Sequence, residues 1–150
     1  MRTAEGQPAT VKLYSPRLLS LSAELANYPL IAGMPLFAEA RSKTCGSTIA
    51  IGLETNQQNA ITKVGLQVAA CAVGQGSASI LASGAVGHDA ASIGAILAGI
   101  ENWLSGDGAI PDWPDFDALS AVPAHPGRHG ALLLPWKAAY TALSSGDAAG

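Results

Sequence analysis

Hydrophobic and polar residues alternate along two neighbouring segments in the first half of the chain. Residues 48–53 (TIAIGL) and 63–68 (KVGLQV) each place an aliphatic side chain at every second position, and the polar sequence TNQQN separates them at residues 55–59. A period of two residues is typical of a half-buried strand. The polar segment has the composition of a turn. The pattern predicts an antiparallel hairpin, and the mixed segment 34–41 predicts a further strand before it.

On both sides of this hairpin the spacing of apolar residues becomes helical. Leucines follow Ser15-Pro16, a pair that favours a helix start. After the hairpin, His88-Asp89 precedes an apolar stripe at helical spacing and is a predicted cap. The predicted helices are residues 14–26, 71–83, 88–104 and 131–143, with loops at 106–114 and 123–127 and one helical turn at 115–120. These elements predict an α+β fold, in which a short antiparallel sheet of about three strands packs against C-terminal helices.

The composition favours one globular domain over residues 1–150. Hydrophobic residues make up 49% of the chain and charged residues 13%, so the chain can build a core at this length. The small polar residues at 1–10 and 144–150 predict flexible ends. The net charge of −3, with no basic run, argues against a nucleic-acid partner. Neither a membrane span nor a secretion signal is found, so we expect a cytoplasmic protein.

The two cysteines, Cys45 and Cys71, each fall at a boundary of the predicted hairpin. Antiparallel pairing brings the entry of one strand beside the exit of the next, so the two sulfurs are expected at one end of the sheet. Cys71 also falls at a predicted helix N-terminus, where the helix dipole favours the thiolate. Two thiolates there would form half of a site for a soft metal or a cluster. The alternative is a pair of buried, inert structural cysteines.

Five short motifs resemble the NifU/IscU family of iron–sulfur cluster scaffolds, and most closely its SufU-like branch. They follow the family's order along nearly the whole chain. The motifs are YSPR (residues 14–17), KTCGS (43–47), CAVGQGSAS (71–79), HPGR (125–128) and LPWK (134–137). The resemblance implies a SufE/NifU-like α+β fold.

The resemblance also assigns ligand positions, and two of them are altered in this chain. Cys45 and Cys71 match the family's first and second cysteine ligands. Ser47 stands where the family has an aspartate, and Ala131 stands where it has the third cysteine. Gly130 holds the place of the histidine that precedes this cysteine in the IscU branch. Two of the four usual ligands are therefore absent from their matched positions.

Several groups could complete such a site. His129 lies one residue from the IscU-type histidine position, although it could equally be an exposed loop histidine. His125, close to two prolines, is a weaker candidate and is expected to be solvated. Alternatively, a homodimer could hold one [2Fe–2S] cluster with Cys45 and Cys71 of each chain. An exogenous thiol or a partner protein could also supply the missing ligands.

The function implied by the resemblance is that of a carrier and not of an enzyme. Such a protein receives sulfur from a cysteine desulfurase, holds iron or a transient iron–sulfur cluster, and passes it to acceptor proteins. One alternative is a zinc-bound sulfur acceptor of the SufU type, although structural zinc sites normally have four ligands. Another is a metal-free interaction domain of the assembly machinery. Of the three tryptophans, Trp113 lies in a proline-rich loop and is the one expected to face a partner.

Overall fold

A computed structural model of the chain describes residues 13–43 and 46–149, with side chains described up to residue 145. The first part of the chain contains one helix, a following 3₁₀ turn and three strands, and the remainder is helical. The strands are β1 (Leu36–Arg41), β2 (Thr48–Thr55) and β3 (Ile61–Ala69). The helices are α1 (Pro16–Ala23), α2 (Ala72–Gly84), α3 (Ala90–Leu104) and α4 (His129–Ala149), and the 3₁₀ turns are Glu24–Asn27, Phe116–Leu119, Val122–Ala124 and Pro126–Arg128.

The three strands form one antiparallel sheet in the order β1-β2-β3, which confirms the predicted α+β architecture. The register pairs Ala38 with Ile51, and Ile51 with Leu66. These residues point to the inner face of the sheet, where α4 packs against β1 and β2. The alternating apolar residues of the sequence are therefore the sheet's contribution to the core.

Two of the predicted helix starts are capped as the sequence suggests. The Ser15 hydroxyl accepts a hydrogen bond from the backbone N–H of Leu18, with Pro16 in the first turn. Asp89 accepts from the N–H of Ser92, whose hydroxyl in turn accepts from the N–H of Asp89, which is a complete capping box. The hydrogen bond from the Ser92 backbone lowers the pKa of Asp89. These caps fix where α1 and α3 begin.

A short polar network joins α2 and α4 inside the core. The hydroxyl of Ser77 donates to the carbonyl of Leu132 over 2.7 Å and accepts from the indole N–H of Trp136 over 2.9 Å. Both Ser77 and Trp136 are fully buried. The network lies beside Pro135, which removes one backbone N–H from the interior of α4. It holds α4 in one register against α2.

The segment before β1 crosses the outer face of the sheet, and we call residues 28–35 the strap. The backbone N–H of Leu66 donates to the carbonyl of Tyr28, so the strap also pairs with the edge of β3. A Cβ atom on Gly65 would lie 2.8 Å from the carbonyl oxygen of Pro29 and 2.9 Å from the Cα of Leu30. Only glycine leaves room for the strap backbone at this distance.

The structure corrects the sequence prediction at Trp113. This residue does not face outward: it is 6% exposed, and its indole N–H donates to the carbonyl of Ile80. Its ring contacts His88 and Trp136 at centroid distances of 4.6 and 4.9 Å. The proline-rich loop folds back onto the helices because this large ring gains a hydrogen bond and two aromatic neighbours in the core.

Candidate metal centre

One end of the sheet carries the positions around both cysteines, and we call it the cysteine end. Here Arg41 pairs with Thr48, and Thr48 pairs with Ala69. The connection between β1 and β2 therefore leaves and re-enters the sheet at the end from which the chain continues to Cys71. It is closed by two backbone hydrogen bonds, from Ser42 to Ser47 and from Gly46 to Ser42, and Gly46 has a positive φ of 74°. Cys45 lies in this connection but outside the described residues.

Cys71 occupies the N-cap position of α2. Its backbone is extended (φ −68°, ψ 174°), and its side chain makes no capping hydrogen bond. The residue is half-buried and its thiol is free. The first N–H groups of a helix carry partial positive charge, which favours a thiolate or another anion beside them. The predicted position of Cys71 at a helix N-terminus is thus confirmed, whereas its role as a ligand stays a prediction.

The residues at the two altered ligand positions, Ser47 and Ala131, are both buried. Ala131 is 1% exposed, in the first turn of α4. A Cβ atom built on Gly74, one turn after Cys71, would lie 3.7 Å from the Cβ of Ala131. Position 131 therefore lies against the first turn of α2. Ser47, where the family has an aspartate, is also buried at 5% exposure.

The two histidines proposed to complete the site are both partly enclosed. His129 is the first residue of α4, two residues earlier than the sequence predicts, and its Nε2 lies 3.1 Å from the carbonyl oxygen of Pro123. That contact directs the Nε2 edge of the imidazole toward the preceding turn. His125 is half-buried and not solvated as expected: its Nε2 is shielded from water and has no hydrogen-bond partner among the described residues.

Among the described side chains, those of residues 13–43 and 46–145, no group of three or more His, Cys, Asp and Glu lies close enough to hold a metal ion. Cys45 is not among these residues. The pairing of Cys45 with Cys71, and the participation of His129, therefore stay predictions. Within the same residues, no helix combines the length and hydrophobicity that crossing a membrane requires.

Comparison with known proteins identifies the fold. No family model matches the sequence, and no curated protein matches it. Among solved structures, the chain is similar to the N-terminal part of a nitrogen-fixing NifU-like protein from Brucella abortus, with a TM-score of 0.87 and 24% identity over 95% of this chain and 100% of that one. It is also similar to a putative iron–sulfur cluster assembly scaffold protein for the SUF system from Fervidobacterium islandicum AW-1, with a TM-score of 0.76 and 20% identity over 87% of this chain and 96% of that one. The resemblance inferred from the sequence motifs is thus confirmed at the level of the fold: the chain has the NifU/SufU-type fold.

Proposed function

We propose that this protein is a carrier in iron–sulfur cluster assembly, and that Cys45 and Cys71 bind iron or a transient cluster as its cargo. The observation that carries the proposal is the sheet register: the connection that contains Cys45 leaves and re-enters the sheet at the end where Cys71 occupies the N-cap position of α2. The similarity to the Fervidobacterium protein, a putative iron–sulfur cluster assembly scaffold protein for the SUF system, supports the same role. The proposed partners are a cysteine desulfurase and the proteins that accept the cargo.

The chemistry of this end of the molecule suits a carrier better than a catalyst. Thiolates are the usual protein ligands of iron–sulfur clusters. Cys71 is partly exposed beside free helix amides, so a bound anionic cluster would gain from the dipole and still be open to transfer. Because Ala131 and Ser47 replace two ligands, the cargo would be held by fewer protein bonds than in the full set. A smaller ligand set favours release to an acceptor.

Anaerobic reconstitution with ferrous iron and sulfide tests the proposal. We expect a visible charge-transfer spectrum that is lost in Cys45→Ser and in Cys71→Ser. His129→Ala serves as a third variant, because it distinguishes a three-ligand site from a two-cysteine site. The iron content per chain, measured together with the molecular mass of the loaded protein, separates a cluster shared by a homodimer from one held by a monomer.

A metal-free interaction domain is the second candidate, and the burial of Ala131 favours it. This side chain is packed against α2, so the third ligand position has been incorporated into the core. A protein that binds neither iron nor zinc under anaerobic conditions, but still binds a cysteine desulfurase, would support this candidate. Stoichiometric zinc in the purified protein would instead support the zinc-bound sulfur acceptor.

A further inference from the structure

A trough of about 520 Å³ lies on the sheet at the cysteine end. It is lined by outward side chains from two rows, each row being three residues paired across β1, β2 and β3. The strap does not extend over these rows. One row is Arg41, Thr48 and Ala69, and the other is Glu39, Ala50 and Gln67. The small side chains form its floor, and the long polar ones stand at its sides, on β1 and β3.

The long polar side chains of the trough are surrounded by small, uncharged residues. Glu39 and Arg41 are both exposed and lie two residues apart on the same face of β1. Neither forms an ion pair with any described residue. A guanidinium binds a carboxylate through two parallel hydrogen bonds, and a carboxylate accepts from an ammonium group. One cation, one anion and the amide of Gln67 together match a small zwitterion, such as an amino acid or a short peptide.

The trough also lies within reach of Cys71. Ala69 lines the trough and precedes Cys71 by two residues, so their Cα atoms are at most about 7 Å apart. Arg41 and Glu39 stand on β1, two strand spacings or roughly 10 Å from β3. A ligand that they hold therefore reaches Cys71 only with an extended chain that crosses β2 and β3, as a tripeptide thiol can. The third ligand position of this chain cannot supply a metal ligand, since Ala131 has an aliphatic side chain that is buried against α2.

We propose that the trough binds a low-molecular-mass thiol with a free carboxylate and a free ammonium group, and that its sulfur completes the ligand shell of the cargo. The ligand role rests on the proposed carrier function, whereas binding of the zwitterion to the trough does not. When the thiol binds iron, the sulfur releases its proton to solvent and takes the place of the absent ligand. No oxidation or reduction is needed.

Binding to the metal-free protein is the first test. Reduced glutathione and S-methylglutathione serve as probes, because they share the charged groups and differ in the thiol. We expect both to shift the amide resonances of the trough residues in a titration followed by NMR. Arg41→Gln should weaken both affinities roughly fivefold, since one charge-assisted contact is lost at an exposed site.

Lys63→Gln is the matched control, because Lys63 is an exposed cation on the outward face of β3 at the opposite end of the sheet. It should leave both affinities unchanged. Absence of binding, or equal weakening by Arg41→Gln and Lys63→Gln, overturns the proposal. A response to Arg41→Gln alone supports it.

Reconstitution with iron and sulfide is the second test, carried out with no other thiol present. Glutathione should give a cluster that resists a chelator, and S-methylglutathione should not, because it occupies the trough without a coordinating sulfur. If 2-mercaptoethanol, or no thiol at all, gives an equally resistant cluster, the ligand role is overturned while the carrier function stands. If no condition yields a cluster, the carrier function itself fails, and the ligand role with it.

Discussion

The two halves of the outer face of the sheet are built differently. At one half, the strap lies directly on Gly52 and Gly65, which pair with each other across β2 and β3. At the other half, the rows of Arg41 and Glu39 remain uncovered and form the trough. The same sheet therefore has a closed half with glycine at the contact and an open half with polar side chains.

The two halves therefore have different roles: one stabilises the fold, and the other is available for the proposed function. The closed half contributes packing, because the strap leaves no space for a side chain at either glycine: its backbone meets Gly65, and its side chains meet Gly52. The open half contributes little to the core and lies at the end of the sheet from which the chain continues to Cys71. In the proposed function, the cargo would enter and leave at this end. Residues near Gly65 are thus constrained by their neighbours, whereas residues near Ala69 are free to serve a ligand.

The largest expected effect is that of Gly65→Ala, which tests the closed half. The new Cβ would lie 2.8 Å from the oxygen of Pro29 and 2.9 Å from the Cα of Leu30, and these are backbone atoms that cannot rotate away. We expect a loss of about 1–3 kcal/mol in the free energy of unfolding, measured by urea denaturation.

Two comparisons show whether this loss comes from the strap backbone. Gly52→Ala should cost less, because its three nearest atoms all belong to the side chains of Met34 and Leu30 and none to the backbone. Ala69→Thr, in the open half, should change stability by no more than about 0.5 kcal/mol. An equal loss at Gly65 and Ala69 would contradict the distinction between the two halves.

Ala131→Cys tests whether the altered ligand position can be restored. A sulfur atom has to fit against the first turn of α2, so we expect a loss of about 1–2 kcal/mol in the free energy of unfolding. In exchange, the reconstituted protein should lose iron to a chelator more slowly than the unaltered protein. Ala138→Cys, an equally buried position further along α4, is the control for burying a sulfur. Faster iron loss in Ala131→Cys would argue that position 131 does not face the cargo.

The sequence predicts those elements whose signal is local. The alternation over residues 48–53 and 63–68 defines β2 and β3, and Asp89 marks the start of α3. Caps and periodic patterns act between residues close in the chain, so they can be recognised without knowledge of the fold. Once the hairpin is recognised, the antiparallel pairing of β2 with β3 follows, because a short turn joins the two strands.

The strap and the burial of Trp113 were not predicted, because each depends on contacts between distant parts of the chain. Gly52 and Gly65 do carry a signal: each interrupts a strand on its outward face, which suggests a close approach of another backbone. Nothing near Trp113 in the sequence indicates that Ile80 will accept its hydrogen bond. The candidate site is likewise predictable only in part. The residue pattern after Cys71 places this cysteine at a helix start, but no local signal shows that position 131 is enclosed.

Acidic pH should weaken the helical half through Asp89. Its pKa is lowered by the hydrogen bond from Ser92, so its contribution to stability is fully present above the ordinary value of 3.8 and is lost as the pH falls below it. At pH 7, Asp89→Ala should lower the free energy of unfolding, since α3 loses its cap. Asp89→Asn should retain most of the cap at pH 7 and lose less stability between pH 5 and pH 3, as followed by circular dichroism. An identical acid transition in Asp89→Asn would assign that transition to other carboxylates.

The smallest expected effect on stability is that of Cys71→Ser. At the cysteine end we expect a substitution to abolish iron binding without lowering stability, in contrast to Gly65→Ala in the closed half. Serine is a preferred N-cap residue, and Cys71 occupies the N-cap of α2 without making a capping hydrogen bond. The variant should therefore be as stable as the unaltered protein, or more stable by up to about 1 kcal/mol, while its reconstituted spectrum is lost. Cys71→Ala, which cannot cap the helix, is the control for the stability term. A protein stabilised by serine yet unable to hold iron would show that cysteine is kept at this position for its sulfur, at the expense of a better helix cap. If serine instead destabilises the fold by several kcal/mol, Cys71 is a packing residue and the metal centre loses its best-placed ligand.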